Sequence, residues 1–234
     1  MPSSSGPTFD PRQAPDSGQA SDRTRGVVPA FRLLCVTNRK SLGAEALDDR
    51  LARLCRNGLR GVQLREKDLE GEALLALAAR CRTVFDRFRV QWVVNGSPEL
   101  ALKVAACGVH LASSLDVGAA RAVAGPAFLV GRSVHSPRAA GEAARAGADY
   151  IVFGPVFDTP SKRGFGPPLG AVLLQEAVAA AGGVPVYAIG GVGPEKVGAC
   201  LSAGARGVAV MSPLMGENGA EDNLARYGHE LGGF

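Results

Sequence analysis

Three groups of residues in this 234-residue chain have the types and spacing to do chemistry. The first is Gln63, Arg65 and Lys67, which alternate with Val62 and Leu64. A period of two places the three polar side chains on one face at the end of a strand. An amide and two cations there suit an anionic ligand. The competing reading is a structural ion network with Glu66 and Asp68. The second group is Ile189-Gly190-Gly191 with Val210-Met211-Ser212. Glycines let a backbone come close to phosphate oxygens, and a serine hydroxyl adds a donor. A ligand with a monophosphate is expected, against the alternative of a plain turn. The third group is Ser133-Val134-His135-Ser136. A histidine titrates near neutrality and can carry protons, whereas the bland reading is a surface histidine in a loop.

Other residues are more equivocal. Asn95 ends an apolar run and either bonds a ligand's polar edge or caps the helix starting near Pro98. The stretch from Gly154 to Gly166 is rich in Gly and Pro and basic at its centre, which suits an active-site lid. Lys162 in it would reach an anion, or sit in a merely basic loop. His110, between Val109 and Leu111, reads as a core histidine held by hydrogen bonds, and His229 as a solvated helix residue. Cys35, Cys55, Cys81, Cys107 and Cys200 are odd in number and lack C-x-x-C spacing. They read as reduced thiols acting as small buried hydrophobes, in a reducing, cytoplasmic setting.

The elements that must position these groups recur along the chain. Short apolar runs fall at 31–37, 61–66, 90–95, 108–113, 128–135, 149–157, 184–191 and 206–212. Each is too short for a helix and rich in strand-forming residues, while the stretches between are helical in pattern. Gly58, Gly108, Gly147 and Gly204 stand where helices should stop before the next strand. Eight such units predict one α/β domain over residues 29–234, a (β/α)8 TIM barrel. An open doubly wound sheet would carry its glycine fingerprint in the first turn, and here TNRKSLGAE has none. Residues 1–28, rich in Ser, Pro, Gly and Asp, are expected to be a disordered tail. No run of eighteen apolar residues exists and a net charge of +4 is scattered, so neither membrane nor nucleic acid is an expected partner.

In order and spacing, VQLREK (62–67), VVNG (93–96), GVHL (108–111), GRSVHS (131–136), ADYIVFGPVFDTPSKRG (148–164), VYAIGGV (186–192) and GVAVMS (207–212) resemble the thiamine phosphate synthase / TenI family. The resemblance runs from about Phe31 to Tyr227 and implies a small (β/α)8 barrel acting on a thiazole phosphate, with self-association left open. The synthase joins a pyrimidine diphosphate to a thiazole phosphate with Mg2+. It is similar to this chain at Gln63, Arg65, Lys67, Asn95, Ser133, Thr159, Lys162, Gly190, Gly191 and Ser212. Its metal carboxylates fall where this chain has Gly96 and the stretch Ala112-Ser113-Ser114-Leu115, with Asp116 one place late. The thiazole tautomerase branch carries N-G and G-R-S-V-H-S, as here, and needs no metal. The resemblance therefore implies a cofactor-free tautomerase, with His135 moving the proton and Arg65 or Lys67 facing the substrate carboxylate. Gln63, Asn95 and Ser133 would orient the ring. The alternatives are a synthase with Asp116 as a shifted Mg2+ ligand, or a non-catalytic phosphate-binding regulator.

Overall fold

All eight apolar runs form strands, shorter at their ends than the sequence suggests. The computed structural model describes residues 28–159 and 166–233. The strands are β1 (Leu33–Val36), β2 (Gly61–Leu64), β3 (Gln91–Asn95), β4 (Gly108–Leu111), β5 (Leu129–Val134), β6 (Tyr150–Phe153), β7 (Val186–Ile189) and β8 (Gly207–Val210). Each pairs in parallel with the next, and β8 returns to β1 through Leu33↔Val208, Leu34↔Ala209 and Cys35↔Val210. The result is a closed (β/α)8 TIM barrel. The helices between strands are α1 (Leu47–Arg56), α2 (Gly71–Phe88), α3 (Pro98–Lys103), α4 (Val117–Ala124), α5 (Pro137–Arg145), α6 (Gly170–Ala180) and α7 (Val197–Ser202). After β8 come α8 (Ser212–Met215) and α9 (Ala220–Glu230). The tail expected over 1–28 lies outside the described residues except for exposed Val28.

Strand alternation splits the apolar residues into two cores. Leu34, Val36, Val93, Leu129, Tyr150, Val152, Tyr187 and Ala209 fill the barrel interior. Leu33, Cys35, Val62, Leu64, Val109 and Val130 point outward against helices, where Leu47, Leu51 and Leu54 of α1 recur at helical spacing. Phe31, Tyr150 and Tyr187 close the bottom of the barrel, with ring centroids 5.3–5.9 Å apart. Tyr187 Oη donates to the Phe31 carbonyl at 2.7 Å. Tyr150 fits because β5 carries Gly131, where a Cβ would lie 2.0 Å from its ring.

The other end of the barrel is set by short turns into the helices. Ser97, Asp116 and Ser136 accept from the backbone N–H groups of Leu100, Ala119 and Ala139 and so start α3, α4 and α5. Ser97 rather than Asn95 is thus the cap, which leaves the Asn95 side chain to the cavity side. Gly58, Gly147 and Gly204 adopt positive φ as helix stops, but Gly108 does not. After α3 it is Ala105 that takes φ +54. Gly108 is instead the first residue of β4, where a Cβ would meet the Leu129 carbonyl at 2.2 Å. Cys107 is exposed, against the expectation that every cysteine is buried; the other four are buried and all five are free. Among the described residues no helix is long and apolar enough to cross a membrane.

Candidate active site

A cavity of about 490 Å³ opens at the C-terminal ends of the strands. Gln63, Arg65, Asn95, Ser133, His135, Thr159, Gly190, Gly191, Val210, Met211 and Ser212 all line it. Lys67 does not. Strand β2 ends at Leu64, and a turn closed by Leu69 N–H to the Glu66 carbonyl at 3.1 Å breaks the alternation. Lys67 lies in that turn and is exposed. Glu66 and Asp68 enter an ion network whose cations come from a different loop, Arg39 and Lys40. Glu66 is buried and accepts from the Arg39 backbone N–H, and Asp68 pairs with Arg39 and Lys40. Lys162 lies outside the described residues. Residues outside the sequence-predicted set also line it, among them Val36, His110 and Asp158. His110 was legible in principle, since it sits in register with Asn95 and shares its inward face.

On one side the wall is backbone. Gly190 has φ +94 and Gly191 φ +62. A Cβ on Gly191 would lie 2.2 Å from the Asp158 carbonyl, because the loop after β6 packs directly on this turn. Val156 N–H donates to Ile189 O at 2.8 Å and Phe157 N–H to Gly190 O at 2.9 Å. From outside, Lys196 Nζ donates to Gly191 O at 3.0 Å and Tyr227 Oη of α9 to Val192 O at 2.6 Å. In a planar trans peptide the N–H points opposite to the C=O. The Val192 and Gly193 N–H groups therefore point away from those two donors, and neither meets a backbone acceptor among the described residues. Such a turn has the features of an anion-binding backbone.

On the other side the wall is side chains. Gln63 Nε2 donates to Asn95 Oδ1 at 3.1 Å, which leaves the Asn95 amide hydrogens for a ligand. His110 is buried and bonds Tyr150 Oη through Nδ1 at 2.9 Å and Ser133 Oγ through Nε2 at 2.8 Å. Burial, reinforced by the Arg65 charge, pushes His110 down to about 3, so it is neutral at pH 7. Burial also lowers the Arg65 guanidinium from its ordinary value, with Glu66 opposing, and an arginine stays charged through such a shift. His135 stands at the exposed rim with Nδ1 on the Gly154 carbonyl. A carbonyl only accepts, so Nδ1 carries the hydrogen and Nε2 keeps its lone pair in the neutral ring.

The synthase alternative implies Mg2+, and the donor set does not fit a protein-held ion. Magnesium takes oxygen ligands, usually one or two carboxylates with substrate phosphates. At the end of β3 stands Gly96 with φ +149, a conformation unfavourable for the aspartate that would be needed. Asp116 is committed to Ala119 N–H as the cap of α4. Asp158 lines the cavity as a single carboxylate. Among the described residues no group of three His, Cys, Asp or Glu is arranged to hold a metal.

A closed parallel barrel with its cavity at the strands' C-terminal ends is the architecture of a (β/α)8 enzyme. The family model described as thiamine monophosphate synthase matches residues 33–214, and the chain belongs to that family. It is similar to a putative thiamine-phosphate synthase of Geobacter sulfurreducens, 38% identical over 188 residues, covering 80% of this chain and 88% of the relative. A thiamine-phosphate synthase of Methanoculleus marisnigri is 40% identical over 186 residues, covering 79% and 88%. Among solved structures, a thiamine phosphate pyrophosphorylase from Pyrococcus furiosus superposes with a TM-score of 0.76 at 25% identity, covering 86% of this chain and 95% of that one. These relatives place the family in thiamine biosynthesis. Their names favour the synthase, a transferase, over the isomerase that the sequence resemblance puts first.

Proposed function

We propose that the chain binds a thiazole phosphate of thiamine biosynthesis and, of the family's two reactions, catalyses the metal-independent aromatising tautomerisation of a carboxylated thiazole phosphate. The observation that carries this reading is His135, a rim histidine whose Nδ1 is tied to the Gly154 carbonyl and whose Nε2 is left as a base. The phosphate lies on the Gly190–Gly193 turn with Ser212 as a further donor. Arg65 faces the carboxylate, and Asn95, Gln63 and Ser133 orient the ring. Val210 and Met211 supply the apolar wall, with Thr159 at the mouth. His135 Nε2 takes the proton from one substrate carbon and returns it to another, so one group serves as base and then acid. The unpaired thiols support a reducing, cytoplasmic setting.

The second reading is the synthase, supported by the relatives' names. One set of assays separates the two. The protein is incubated with the non-aromatic thiazole carboxylate phosphate, with and without EDTA, and aromatisation is followed. Separately it is given the pyrimidine diphosphate and the thiazole phosphate. Turnover in the first assay that resists EDTA and collapses in His135→Asn supports the tautomerase. EDTA-sensitive thiamine phosphate formation in the second, with none in the first, overturns it in favour of the synthase. Phosphate binding with neither turnover points to the regulator.

A further inference from the structure

His110, between Tyr150 and Ser133 on adjoining strands, is a buried titratable group that lines the cavity and has no part in the proton transfer. Its two contacts can be arranged in two ways. In one, Tyr150 O–H donates to Nδ1, Nε2–H donates to Ser133 Oγ, and the Ser133 proton is left for the cavity. In the other, Nδ1–H donates to Tyr150 Oη, Ser133 O–H donates to Nε2, and the Tyr150 proton needs an acceptor elsewhere. The Tyr150 hydroxyl sits in the barrel interior, where burial holds it protonated and His110 is its hydrogen-bond partner. The second arrangement would therefore orphan a buried O–H, in a protein whose only unpartnered buried side-chain N or O among the described residues is Arg132 Nε. The first arrangement satisfies every group.

We propose that Tyr150 and His110 are positioning residues that fix the Ser133 hydroxyl as a donor into the cavity, so that β5 requires an acceptor atom on the ligand. Asn95, with its amide hydrogens freed by Gln63, and the cation Arg65 face the same space. Three donors, Ser133, Asn95 and Arg65, converge on that face and match a carboxylate or a ring nitrogen. This ligand edge rests on the thiazole phosphate reading; the direction of the relay does not. The two histidines then divide the work, with His135 free to exchange its proton and His110 held in one tautomer.

The relay is tested on the full chain without ligand, by the 15N shifts of the His110 ring at neutral pH. The expected signature is a neutral ring with hydrogen on Nε2. A ring protonated on Nδ1 alone, or on both nitrogens, overturns the proposal whatever reaction the protein catalyses. In Tyr150→Phe, which removes the donor and keeps the ring, the hydrogen should shift toward Nδ1. An unmoved tautomer would show that Tyr150 does not set it. With an active substrate, Tyr150→Phe should raise KM about 5- to 10-fold with kcat within about twofold. Ser133→Ala should then add little in the Tyr150→Phe background, and fully additive losses would sink the coupling.

Discussion

The two walls of the cavity recognise by different means. Around β7 the surface is main chain, shaped by Gly190 and Gly191 and tied from behind by Lys196 and Tyr227. Around β2 to β5 it is side chains, each held by another side chain: Gln63 on Asn95, Tyr150 on His110, His110 on Ser133. A backbone wall has no functional group to delete, yet it cannot accept even one added carbon where packing is closed. A side-chain wall tolerates its backbone being ordinary, but a single lost proton changes what it offers.

The comparison can be broken by substitution. The largest effect is expected for His135→Asn, a loss of about 10²- to 10⁴-fold in kcat with melting temperature unchanged, measured by turnover and thermal unfolding. Gly191→Ala comes next. Its φ of +62 and the Asp158 carbonyl 2.2 Å from the new Cβ force the turn open, and KM for the phosphorylated substrate should rise about tenfold or more. Gly193→Ala is the control, because its φ is −79 and the atoms nearest the new carbon are those of the movable Glu195 carboxylate. It should stay within about twofold, and equal losses at both positions would mean that the backbone wall is not specially shaped.

Acid stability probes the side-chain wall. His110 titrates at about 3 in the fold against 6.5 when unfolded, so the unfolded chain binds more protons between those values. Its contribution is complete above pH 6.5 and is lost as pH falls from there toward 3, by up to about 1.4 kcal/mol per pH unit. Urea titrations at stepped pH should show this slope reduced in His110→Gln. The smallest effect is expected for Ser97→Ala, about 1 kcal/mol of stability from the lost cap with kinetics unchanged, since the cap is not Asn95.

The barrel was legible because strand and helix periods differ, and eight repeats of the contrast leave few alternatives. The strand ends were less so. Alternation from Gln63 to Arg65 extends correctly into the cavity, but it fails at Lys67, since the period holds only while the chain remains extended. Gly108 looked like a helix stop because sequence does not show that the Leu129 carbonyl crowds it from the neighbouring strand. His110 read correctly as a hydrogen-bonded core residue; that the same ring also lines the cavity depends on Tyr150 and Ser133, 40 and 23 residues away. Contacts of that range leave no local signature.

The seam between β1 and β8 has a consequence in time. Residues 33–36 find their second neighbour only when 207–210 exist, and Val192 waits longer still, for Tyr227. Until β8 is made, β1–β7 can pair only as an open sheet with two unpaired edges. The cavity thus gains its backbone wall and that wall's anchor only after its side-chain wall has been made, so a growing chain holds many of its recognition groups well before it has a site.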